Sequence, residues 1–197
     1  MKFLNKVLED VLDTTNDLSN YTFVIPGKRP VVFIKKILVE KKYNGFLPDF
    51  FTIEEIIGEI SGRVQIQGIA LWLVAFEFYK QMFDHETFDN FIKWFPTLVK
   101  DWDDMMKFSS NDQAVLGYML DEERIKNWGE QLGEENARTR NLDFWKKMVV
   151  FLPAFKKHLL SKNWATSGML HQEATKQIEE FSKNSKHQYV FIGFNAF

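Results

Sequence analysis

Apolar residues at Phe3, Leu4, Val7, Leu8, Val11 and Leu12 fall at the spacing of one helical stripe, which predicts a helix over Lys2–Leu12. A polar break at residues 16–20 leads into YTFVI, Tyr21 to Ile25, whose short aromatic and β-branched run predicts a buried strand. Pro26 and Gly27 stop that strand. Pro30 suits the first turn of the following helix, where the N–H it lacks has no intrahelical acceptor, and this helix is expected to run to about Lys42. After a turn at Asn44 and Gly45, FLPDFFTIEEIIGEISG starts extended and becomes helical. Thr52 and Glu55 stand three residues apart, as in a capping box that satisfies free N–H groups at a helix start. From Gln65 to about Phe83 the chain is apolar nearly all round, which predicts a central, buried helix broken at Asp84 and His85.

Residues 86–182 read as mostly helical, through TFDNFIKWFPTLVKDWDDMMKF, LDEERIKNWG, LDFWKKMVVFLPAFKKHLLSKNW and SGMLHQEATKQIEEF. Pro96 and Pro153 fall inside two of these patterns and are expected to kink or divide them. Ser182 to His187 reads as a polar linker, and YVFIGF, Tyr189 to Phe194, as a second buried strand. Two buried strands fall short of the roughly three a stable sheet needs. Together with an apolar end at Asn195, Ala196 and Phe197, this leads to the expectation that the chain is the front of a larger protein.

Composition narrows the class. In 197 residues, 45% are apolar and 16% aromatic, with twenty Phe and six Trp, which is the make-up of a globular protein with bulky buried side chains. The absence of cysteine rules out disulfides, a thiol nucleophile and Cys-based zinc sites. The N-terminus lacks the pattern of a signal peptide, and the longest apolar run, Ile69 to Phe76, is far short of the ~20 residues a bilayer span needs. The expectation is a cytoplasmic protein with no membrane partner. A net charge of -2 lacks the basic excess of an autonomous nucleic-acid binder, so any such contact has to be local. The densest basic cluster is Lys28, Arg29, Lys35, Lys36, Lys41 and Lys42, of which Lys41 and Lys42 read as a solvated helix face.

The order strand, Pro-Gly-Lys-Arg, helix has the layout of a nucleotide-binding P-loop. A Walker A loop needs GxxxxGK[ST], so that backbone N–H groups and the Lys hold phosphates while the hydroxyl binds magnesium. With Gly27 and Lys28 as the GK step, the first glycine position is Thr22 and the hydroxyl position is Arg29. The acid that would end a second strand is likewise missing, since YVFIGFNAF offers Gly193, Phe194 and Asn195. Loss of glycine, hydroxyl and acid together argues against ATP hydrolysis. His85, His158, His171 and His187 lack metal-ligand spacing, Asp101, Asp103 and Asp104 read as exposed charge, and Pro48 and Asp49 read as a turn without the acid-x-Lys that a nuclease site requires.

FVIPGKRPVVFIKKIL, LPDFFTIEEII, TFDNFIKWFPTLVKDWDDM, GMLHQEA and YVFIGFNAF, in this order, resemble the N-terminal part of AddB-like subunits of helicase-nucleases, which are PD-(D/E)XK nuclease family proteins. The resemblance implies an α/β, predominantly helical fold: a degenerate P-loop, UvrD-like parallel-sheet core with a large helical insertion. Residues 1–64 would form the front of the core, 65–184 the helical block and 185–197 the returning strand. It further implies a non-catalytic segment that guides DNA and docks an AddA-type helicase partner during double-strand-break processing. The nuclease site and its magnesium would lie elsewhere in the parent protein, and this segment would need no cofactor. Gly27, Lys28 and Arg29 would mark the decayed Walker A location, and Gly193, Phe194 and Asn195 the decayed Walker B location. Lys28 and Arg29, at a helix start that favours anions, either hold a DNA phosphate or solvate a loop. The competing expectation is a self-contained helical module that binds protein through aromatics such as Trp94, Trp102, Trp128 and Trp164.

Overall fold

A computed structural model describes residues 2–83, 86–108, 111–126 and 137–194. The chain divides into two compact units, one made of residues 1–60 and 177–197 and the other of residues 61–176.

In the first unit, α1 (Lys2–Leu12) precedes β1 (Tyr21–Ile25), α2 (Arg29–Glu40), β2 (Asp49–Thr52) and α3 (Ile53–Ser61), and the chain returns at the end through β5 (Gln188–Phe191). The three strands form an all-parallel sheet in the order β2-β1-β5. The hydrophobic pattern dictates this placement of β1. All five of its residues are buried, as a strand covered on both faces requires. Tyr21, Phe23 and Ile25 pack with Leu8 of α1 and Ile34, Ile37 and Leu38 of α2. Each such fully buried side chain contributes about 1.5–3 kcal/mol relative to exposure. Thr22 and Val24 point to the other face. Tyr189, in register with Thr22, meets Phe181 there with ring centroids 5.9 Å apart.

Two expectations change at this level and one holds. The extended stretch at Phe50 is itself a strand, so the described residues complete a three-stranded sheet, and Asp49 opens β2 instead of forming a turn. The returning strand covers Gln188–Phe191 and, among the described residues, pairs only with β1, and its Phe191 is half exposed. The capping box forms as expected: Thr52 N–H donates to Glu55 Oε2 at 2.9 Å and Glu55 N–H donates to Thr52 Oγ1 at 3.2 Å.

The second unit holds β3 (Val64–Gln65), α4 (Gly68–Met82), α5 (Phe88–Phe108), α6 (Asp112–Lys126), α7 (Ala137–Ser161), β4 (Trp164–Ala165) and the first part of α8 (Ser167–Asn184). Aromatic rings from three helices form its core: Tyr79 contacts Phe91 and Phe151, Phe91 stacks on Phe95 at 4.6 Å, and Phe151 stacks on Phe155 at 5.4 Å. Neither proline divides its helix. Around Pro96, buried Phe91, Phe95, Val99, Trp102 and Met106 recur every three or four residues, and with this packing α5 runs on unbroken. Buried Phe151, Leu152 and Phe155 likewise flank Pro153 in an unbroken α7. Correcting the expectation of a wholly buried helix, α4 buries Leu71, Ala75 and Tyr79 but exposes Ile69 and Leu73, and its start is delayed because Val64 and Gln65 pair with Trp164 and Ala165.

Candidate functional site

A parallel sheet directs the carboxyl ends of its strands to one edge, and the crevice where successive crossovers diverge is where ligands collect in folds of this kind. Here α2 carries the chain from β1 to β2 on one face, whereas β5 arrives on the other side of β1 after α8, which packs on the opposite face. The loops after β1 and β5 therefore flank that crevice. Gly193, at φ +82°, brings them together, since a Cβ there would sit 3.7 Å from Pro26 Cδ. A residue at this φ is most easily glycine.

Between β1 and α2 only Pro26, Gly27 and Lys28 intervene. Lys28 occupies the N-cap position and has no side-chain cap bond, while Arg29 begins the helix and is exposed. The Lys28 ammonium lies 2.6 Å from Glu55 Oε1. That contact is the main reason the Glu55 carboxyl is held below its ordinary range, with the Thr52 N–H second. The pair is solvent-exposed, so its strength is that of a surface ion pair, up to about 1 kcal/mol, and an incoming phosphate can compete for it. The capping glutamate thus poises Lys28 over the end of the sheet. The sequence displays this glutamate as a helix cap but gives no sign of its second bond to Lys28.

Gly27 has neither a positive φ nor any atom within 4 Å of where a Cβ would stand. Among the described residues nothing requires a glycine there. Gly193 and Phe194 sit at the end of β5, and Asn195 lies outside the described residues. The rest of the basic cluster is dispersed: Lys35 stands 5.8 Å over the Phe50 ring, Lys36 is 3.9 Å from Glu40, and Lys41 pairs with Glu9 at 2.7 Å.

The other candidate residues take structural positions. Asp103 is not exposed charge, as its sequence neighbours suggested. It reaches from α5 to the start of α8, accepting hydrogen bonds from the Thr166 hydroxyl and, at 2.8 Å, from Gly168 N–H. Burial pushes its carboxyl up, and these two bonds only partly offset the effect. His158 packs against Phe78 with ring centroids 4.6 Å apart in a tilted arrangement, and burial pushes its pKa down. His187 Nδ1 lies 3.1 Å from Thr22 Oγ1 and 3.9 Å from Asp49 Oδ2. Both groups approach the same ring nitrogen, which is not the relay of a nucleophilic triad. His85 and Trp128 lie outside the described residues. Trp102 is core, 2% exposed, with a buried indole N–H that lacks an acceptor among the described residues. Trp94 and Trp102 both line an apolar cavity of about 630 Å³ between α5, α6 and α7. Trp164, in β4, lies 5.3 Å beneath the Lys162 ammonium.

Among the described residues no group of three or more acidic, His or Cys side chains converges to hold a metal, and no helix is long and apolar enough to cross a membrane. The chain matches no family model, no curated protein and no solved structure.

Proposed function

We propose that this chain is a non-catalytic, helicase-like N-terminal segment of a helicase-nuclease subunit that processes DNA double-strand breaks, in which it guides DNA and docks an AddA-type helicase. The observation that carries the reading is the position of Lys28 and Arg29 at the start of α2, beside the switch point of a doubly covered parallel sheet. A helix start offers unpaired N–H groups and a partial positive charge to an anion, and two cationic side chains add to this. A linker of only Pro26, Gly27 and Lys28 leaves little backbone to surround a triphosphate, which favours a single backbone phosphate as the ligand. In this reading the magnesium-dependent nuclease chemistry belongs to another part of the parent protein.

The test is DNA binding by the full chain at several salt concentrations, with Lys28→Ala and Arg29→Ala combined. The expected result is weaker binding and a salt dependence flatter by about one to two phosphate contacts. Binding unchanged across the salt series would sink the role assigned to these two residues. ATP turnover that disappears in Lys28→Ala would instead revive an active nucleotide site.

A second reading, a self-contained helical module that binds another protein, is favoured by the apolar cavity between α5, α6 and α7 and by the exposed Ile69 and Leu73 of α4. Concentration-dependent self-association without DNA binding would support it over the first.

A further inference from the structure

We infer that the helical unit holds a small-molecule site in the cavity between α5, α6 and α7, which takes one uncharged, planar molecule whose carbonyl oxygen accepts a hydrogen bond from the buried indole N–H of Trp102. The inference goes beyond the DNA reading and uses none of its residues. It gives the cavity a small ligand in place of the protein partner of the second reading.

The three helices leave a cavity of about 630 Å³ between them. Protein interiors hold few voids larger than a water molecule, and this volume lies within the range of ligand pockets. Its walls are built from bulky rings. Trp94 stands edge-on to Phe144 with centroids 5.2 Å apart at 87°, and Phe144 stands likewise to Trp145 at 5.6 Å and 79°. Edge-to-face contacts of this kind are favourable in themselves, so the wall is in place before a ligand arrives. Met105 and Met119 also line the cavity, and their flexible thioethers can follow the outline of a bound ring.

Charge and hydrogen bonding narrow the ligand. The charged residues that line the cavity are Lys93 and Asp101, one of each sign and both exposed, so the lining favours neither an anion nor a cation. The Lys93 ammonium donates to Asn90 Oδ1 at 3.0 Å. The polar group left over is buried: Trp102 lines the cavity, is 2% exposed, and its N–H has no acceptor among the described residues. Buried donors are nearly always paired, and one left over in a native fold calls for an explanation. Water answers this donor poorly. A buried water needs two or more polar partners, and Leu98, Leu116 and Leu152 line the same cavity. A carbonyl oxygen on an apolar ring system needs only the one donor, while the rings it carries bury themselves against the aromatic wall.

Prodan, an uncharged naphthalene ketone whose emission shifts to the blue when it leaves water, tests the inference in a titration with the full chain. Saturable binding at about one equivalent is expected. The carbonyl-free dimethylaminonaphthalene, measured by displacement of prodan, should bind about 3- to 10-fold more weakly, the effect of one neutral hydrogen bond. Trp102→Phe keeps a ring and removes the donor, so it should lose that preference for the ketone. Met119→Trp should abolish prodan binding, because half-buried Met119 lines the cavity and the larger ring takes up its space. The second variant keeps the test informative even where Trp102→Phe does not fold. Absence of saturable prodan binding by the parent chain, equal affinity for the two probes, or unchanged binding by Met119→Trp would overturn the site. Loss of prodan binding as the chain self-associates would overturn it too, and would give the cavity to a second copy, in line with the second reading.

Discussion

At the scale of single residues, one carboxylate illustrates how position outweighs sequence context. Asp103 stands between Trp102 and Asp104 in a run that reads as solvated charge, yet it serves as an acceptor for Thr166 and Gly168 at the start of α8. An amide can accept the same two bonds without carrying buried charge. Asp103→Asn is therefore expected to change stability little, whereas Asp103→Ala, which strands two donors, should cost about 1–3 kcal/mol by urea unfolding. The sign of its pH dependence is also fixed. With the folded-state value raised above the ordinary 3.8, the folded protein binds the proton more tightly, so this group favours folding most below that value and loses its contribution as pH rises through the raised one. Glu55 behaves oppositely. Its carboxyl is lowered from 4.5, chiefly by Lys28, so its contribution is fully present above 4.5 and disappears as pH falls through the folded-state value. Lys28→Met should accordingly lower the thermal midpoint slightly at pH 7 and leave it unchanged near pH 2.

At the scale of elements, two glycines separate packing from ligand approach. A Cβ at Gly168 would lie 2.7 Å from Asp103 Cα, so α8 and α5 meet backbone to backbone at that point. Gly168→Ala is expected to cost about 1–3 kcal/mol, because neither helix can shift without losing the Asp103 bonds. Gly27→Ala meets nothing within 4 Å and should be neutral or slightly stabilising, by up to about 1 kcal/mol. If Gly27→Ala also impairs DNA binding while leaving the fold untouched, a ligand approaches the backbone there. Thermal unfolding together with binding of the two variants measures both effects. The helices with prolines bear on packing as well: α5, with its regular ladder of buried residues, is continuous through Pro96.

At the scale of the whole molecule, the sheet is assembled from distant parts of the chain. Tyr21 pairs with Gln188 and Val24 with Phe191, so the central strand depends on residues near the other end of the sequence. Removing residues 185–197 should expose one side of β1 and speed amide hydrogen exchange across Tyr21–Ile25. The helical unit, whose cores are built from α4, α5 and α7, should keep its protection. Uniform loss of protection in both units would show that they fold as one cooperative body.

The amino-acid sequence by itself determined the local elements: the stripe of α1, the buried run of β1, the Pro-Gly stop, the capping box at Thr52 and Glu55, and the sequence of helices that follows. These depend on periodicity and on backbone chemistry within a few residues, which a linear pattern records. Tertiary structure alone decided that Phe50 joins the sheet, that Lys28 pairs with Glu55, and that Asp103 caps the start of α8 through Thr166, 63 residues away in sequence. Those relations are set by which surfaces meet when apolar faces are buried, and the spacing of residues along the chain carries no information about them.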